Sequence, residues 1–74
     1  MRRSEFDRAV DHEFGERGPA LIADLFLSGL GGRTADQALR DGEPARDVWI
    51  ALCAETDVPP ERRYGAGRLE PRRR

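Results

Sequence analysis

The chain has 74 residues, 38% of them hydrophobic and 36% charged, with a formal net charge of −1. A domain this small buries only about 60% of the surface its unfolded chain exposes, which leaves little scaffold for a deep catalytic cleft. No apolar run approaches the ~18–20 residues of a membrane-spanning helix, the Arg-bearing start lacks the apolar core of a signal peptide, and one cysteine makes no internal disulfide. A cytoplasmic protein with no membrane contact is therefore expected.

Ser4, followed three residues later by Asp7, resembles a capping box and predicts the start of a first helix. Phe6, Ala9, Val10 and Phe14 then share one face, and Gly15 is a natural stop. Gly18-Pro19 opens a second helix, because proline in the first turn lacks only an N–H that has no partner there. Leu21, Ile22, Leu25, Phe26 and Leu30 give that helix a stripe wide enough for the most buried element, with Leu27 outside the arc and Gly31-Gly32 as its end. Thr34 with Gln37 is the clearest capping box in the chain. The short helix it starts turns Ala35, Ala38 and Leu39 inward and closes at Gly42. Pro44 opens a fourth helix with Ala45, Val48, Trp49, Leu52 and Cys53 on its apolar face, stopped by Val58-Pro59-Pro60. At 100° per residue, Ile50 projects about 130° from the centre of that face. No segment alternates with period two, so strands are not expected. The predicted fold is all-α, a single small bundle of about four short helices with short connections.

Charge divides the chain. Residues 1–61 carry seven Arg against thirteen acids, and residues 62–74 carry six Arg against one acid. The Gly, Pro and Arg content after Tyr64 predicts a disordered tail over 64–74 and a helical domain over 1–63.

Chemistry-bearing constellations are sparse. Asp11-His12-Glu13 are consecutive and point apart on a helix, and the only other soft ligand is Cys53, so no metal site or cofactor is expected. Cys53, four residues after Trp49, reads as a small core residue rather than a nucleophile. Asp7 and Asp11 share a helix edge with no pocket to separate their pKa values. Leu30-Gly31-Gly32-Arg33-Thr34 lacks the preceding strand and the Lys-Ser/Thr pair of a phosphate loop. Ala38, Gly42 and Val48 fit the spacing of a helix-turn-helix, but Arg46, Asp47 and Glu55 give the would-be reading helix a poor surface for phosphates.

Several segments taken together resemble the small actinobacterial family called domain of unknown function 3046. They are Ser4-Glu5-Phe6, Phe14-Gly15, Leu30-Gly31-Gly32-Arg33-Thr34, Ala38-Leu39, Asp47-Val48-Trp49, Ala51-Leu52-Cys53 and Val58-Pro59. The resemblance covers residues 1–63 and implies a small helical protein with no assigned activity, cofactor or binding residue. Members are often encoded near recombinase genes, which implies DNA-repair company. Leu25 stands where the family pattern leads one to expect His, and Ile50 where it leads one to expect Arg; both make this chain more apolar.

The expected function is a non-enzymatic protein-interaction or accessory module that binds an unknown protein partner or a second copy of itself. Leu27 and Ile50, off their helices' main stripes, are the candidate partner-binding residues. The alternative is a weak nucleic-acid-binding factor in recombination or repair, using helix-turn-helix-like helices and Arg62, Arg63, Arg68, Arg72, Arg73 and Arg74 on phosphates.

Overall fold

Helix α1 runs Arg3–Phe14 and buries Phe6, Ala9 and Val10, the face its spacing predicts. Its start is one residue earlier than Ser4. Arg2 holds the capping position, and its backbone N–H donates to Glu5 Oε1 at 2.6 Å, so the carboxylate three residues on does the capping. Asp7 instead meets Arg3 across one turn at 3.1 Å. A 3-10 turn at Gly15–Arg17 leads into α2, Gly18–Asp24, with proline in its first turn. The computed structural model describes residues 1–59 and 61–62.

The second helix is much shorter than its apolar stripe predicts. Leu25 leaves the helix with φ −80° and ψ 122°, and the chain turns extended as β1, Phe26–Leu27. A 3-10 turn, Ser28–Leu30, and two glycines return it to β2, Arg33–Thr34. β1 and β2 pair antiparallel, Phe26 opposite Thr34 and Leu27 opposite Arg33. The absence of strands expected from periodicity is thus corrected: two residues per strand are too few to show alternation. Gly31 at φ +68° and Gly32 at +82° supply consecutive left-handed steps in the turn that L side chains disfavour. Breaking the helix at Leu25 also resets the phase of the next residues. Phe26, expected inside, is 66% exposed, whereas Leu27, expected outside, is fully buried. Nor is α2 the most buried element, since only Gly18 within it is buried.

Helix α3, Ala35–Arg40, begins with the predicted box. The Gln37 N–H donates to Thr34 Oγ1 at 3.1 Å, and the Thr34 N–H donates to Gln37 Oε1 at 3.0 Å. It ends in a Schellman motif, in which Glu43 N–H reaches the Ala38 carbonyl at 3.0 Å and Gly42 N–H reaches Leu39 at 3.1 Å. Helix α4, Ala45–Glu55, buries Val48, Trp49, Leu52 and Cys53 as predicted.

The chain is mostly helical, with a small two-stranded sheet in place of part of one expected helix. Trp49 occupies the centre of the core. Its ring meets Phe6 and Phe14 edge-on, each at 6.3 Å between centroids, a preferred aromatic geometry. Leu27, Leu30, Ala35, Ala38 and Val58 close the same cluster. The predicted tail over 64–74, and residues 60 and 63 of the predicted domain (Pro60 of the predicted helix stop included), lie outside the described residues.

Candidate functional site

Because α4 spends Val48, Trp49, Leu52 and Cys53 on the core, its next face carries Asp47, Ile50, Ala51 and Ala54 along one side of a groove. Gly29, Leu30, Gly31 and Arg33 form the opposite side, with Glu43 at one end. The Ser28–Leu30 turn is fastened to the end of α4. Ser28 donates both its backbone N–H, at 3.1 Å, and its hydroxyl, at 3.0 Å, to Glu55 Oε1. An ideal Cβ placed on Gly29 would lie 3.5 Å from the Ala51 Cβ, so the turn passes close to the helix there.

Arg33 ties the far wall together. Its Nε donates to the Leu30 carbonyl at 2.9 Å, Nη1 to Asp41 at 3.0 Å and Nη2 to Glu43 at 2.7 Å. The hydrogen bond to Glu43, and then that to Asp41, holds the guanidinium above its ordinary pKa. All three nitrogens are thereby engaged within the protein, and the phosphate reading of this segment loses its cation. Asp47 and Arg46 lie exposed on α4 beside the groove. The charged residues on the groove lining are Glu43, Asp47 and Arg33, with Asp41 bonded to Arg33 and with Arg46 and Glu55 next to the lining residues Asp47 and Ala54 on α4.

Of the two candidate partner-binding residues, only one reaches this surface. Ile50 is half-buried and lines the groove. Leu27 is fully buried under α4 and has no surface to offer a partner, which corrects the expectation from its helical phase. Phe26, missed because the stripe placed it inside, is the largest exposed apolar side chain among the described residues. Its signal in sequence is a phenylalanine beside a turn rich in glycine.

Of the candidate nucleic-acid contacts, Arg62 grips the Glu13 carboxylate with two nitrogens, Nη2 at 2.5 Å and Nε at 3.3 Å. Glu13 is the chief cause of its raised pKa. Arg63, Arg68, Arg72, Arg73 and Arg74 lie outside the described residues. Cys53 is buried, and Asp11 and His12 are exposed on α1. Among the described residues, no three His, Cys, Asp or Glu side chains gather as metal ligands. No helix among them is long and apolar enough to cross a membrane.

The sequence of residues 1–61, from the Glu5 cap through the Gly31-Gly32 turn to Val58, matches the family described as a protein of unknown function, DUF3046. The chain belongs to the DUF3046 family. A 36-residue stretch, 49% of this DUF3046 chain, is 50% identical to a Mycobacterium tuberculosis protein named as a candidate envelope-preserving system protein, Rv2742c. That stretch spans only 13% of the relative's length. The relative's actinobacterial source agrees with the resemblance read from the sequence. No solved structure matches the chain.

Proposed function

We propose that this DUF3046 chain is a protein-interaction module with no catalytic activity of its own, and that it docks through the groove centred on Ile50. The observation that carries this reading is the groove itself. Its apolar floor of Ile50, Ala51 and Ala54 stays open beside the buried Leu30, while the neighbouring face of α4 is consumed by the core. Apolar floors ringed by charge are the general anatomy of protein interfaces. The much longer M. tuberculosis relative supports a modular reading, since the shared stretch there forms a small part of a larger protein.

A photo-crosslinking residue at Ala54 tests the site. Expressed in its host, the protein should form a discrete protein adduct from position 54 but not from the exposed position Glu16, and Ile50→Glu should abolish the adduct. Equal adducts from both positions, or persistence in Ile50→Glu, would overturn the reading. Light scattering on the purified chain then separates a homodimer, doubling the mass and sensitive to Ile50→Glu, from a partner of different sequence.

A further inference from the structure

The groove's rim is unevenly charged, and this says what kind of segment it accepts. We infer that the occupant is a cationic amphipathic helix of another protein, with apolar side chains on the Ile50 floor and Arg or Lys over the rim; this rests on the docking reading above. Glu43, Asp47 and Arg33 line the groove, Asp41 is bonded to Arg33, and Glu55 and Arg46 adjoin the lining residues Ala54 and Asp47 on α4. The four carboxylates differ in availability. Asp41 and Glu43 share the Arg33 guanidinium. Glu55 accepts two hydrogen bonds from Ser28, both from neutral groups, so its negative charge is uncancelled there. Asp47 lines the groove at an exposed position one helical turn before Ile50 and Ala51. Four carboxylates against two guanidiniums thus leave this surface net negative, with Asp47 on the groove lining and Glu55 at the end of α4.

The floor favours a close helical approach. Gly29, Gly31, Ala51 and Ala54 present little or no side chain, while Ile50 gives apolar contact. A helix laid in such a groove anchors itself with residues three or four apart and leaves its flanks against the rim. With Asp47 and Glu55 eight positions apart on α4, the rim charges lie about 12 Å apart along the axis, which a two-turn helix spans. Opposite charge on those flanks speeds encounter and sets orientation, and like charge is rejected.

The test uses the ¹⁵N-labelled full chain and two amidated twelve-residue helical peptides. One has Leu at two positions four apart and Arg on both flanks; the other is identical with Glu for each Arg. The cationic peptide should shift the amides of Gly31, Ile50, Ala51 and Ala54, with affinity falling several-fold between 50 and 300 mM NaCl. The anionic peptide should leave them unmoved. Asp47→Arg, at an exposed position that spares the core, should weaken the cationic peptide and admit the anionic one. Equal binding of both peptides at these amides would keep the groove as a docking site but overturn its charge preference. Shifts elsewhere, or none, would overturn the inference and leave the docking reading to the crosslinking at Ala54. Binding only after Arg72, Arg73 and Arg74 are changed to Ser would assign the groove to the chain's own basic segment. Concentration-dependent shifts at the same amides without peptide would assign it to a second copy. Either of these last results also overturns the inference.

Discussion

Two backbone positions show how single residues set the stability of this chain. Gly18 has ordinary helical dihedrals, φ −54° and ψ −53°, so alanine there would normally be favoured by about 0.5–1 kcal/mol. An added Cβ, however, would stand 2.7 Å from the Val10 Cγ1, where α2 crosses α1. Valine has few rotamers with which to yield, and overpacking of this kind costs about 1–3 kcal/mol. Gly18→Ala should therefore destabilise by roughly 1 kcal/mol in urea unfolding. The double variant with Val10→Ala should lose less than the two single changes added together, and strict additivity would show that the close approach is harmless. Asp57 is the opposite case. It sits at φ +61°, just past α4, in a Schellman motif whose Val58 N–H reaches the Cys53 carbonyl at 2.9 Å. An L residue is penalised in that conformation and glycine is not. Asp57→Gly should raise stability by about 0.5 kcal/mol, the relief partly offset by a more flexible unfolded chain; Asp57→Ala, with no gain in backbone freedom, should not.

At the level of elements, the chain's caps are more legible than its helix lengths. The Thr34-Gln37 box and the Gly42 stop are local chemistry, each satisfied within a few residues, so their sequence pattern carries over bond for bond. The start of α1 departs from its sequence pattern for a local reason too. Ser4 is the better capping side chain, but Glu5 reaches back to Arg2 and starts the helix earlier. That bond has a pH signature. It is the main cause that holds the Glu5 carboxyl below its ordinary range, with the amino terminus, Arg2 and Arg8 adding in the same sense and burial opposing. A carboxyl lowered in the folded state stabilises it above the unfolded value, about 4.3 for glutamate, and loses that effect as pH falls through the lower folded value. The stability gap between the natural chain and Glu5→Gln should accordingly be widest near neutral pH and close as the solution is acidified below about pH 4. A gap that stays constant through that range, measured by thermal unfolding, would remove the cap from the account. The break in α2 is not legible. No glycine or proline lies between Ala20 and Ser28, so nothing local ends the helix. The chain leaves it at Leu25 because β1 pairs with β2 a few residues on and because Leu27 must reach the core, a demand that comes from residues far along the sequence such as Val48, Trp49 and Leu52.

The same distinction governs the whole molecule and its candidate site. The inner face of α4 and the aromatic centre at Trp49 follow from helical spacing, and Ile50 stands off that face for the same reason. The helical phase that points to Leu27 is cancelled by the Leu25 break, and the same error hides Phe26. The rim of the groove depends on Arg33, Asp41, Glu43, Ser28 and Glu55 meeting across three segments, which no spacing rule brings together. The sharpest test of this architecture is a pair of neighbours. A domain of this length has a total stability on the order of 4–11 kcal/mol, and truncating a fully buried leucine costs about 2–5 kcal/mol. Leu27→Ala should therefore remove a large share of that stability and lower the melting temperature sharply. Phe26→Ala removes a larger side chain, yet one that faces water, so stability should move by no more than about 0.5 kcal/mol. A continuous helix through Leu30 requires the reverse, a severe loss at Phe26 and a mild one at Leu27. Circular dichroism melts of the two variants side by side distinguish the two arrangements, because the β1–β2 register ties the burial of Leu27 to the exposure of Phe26.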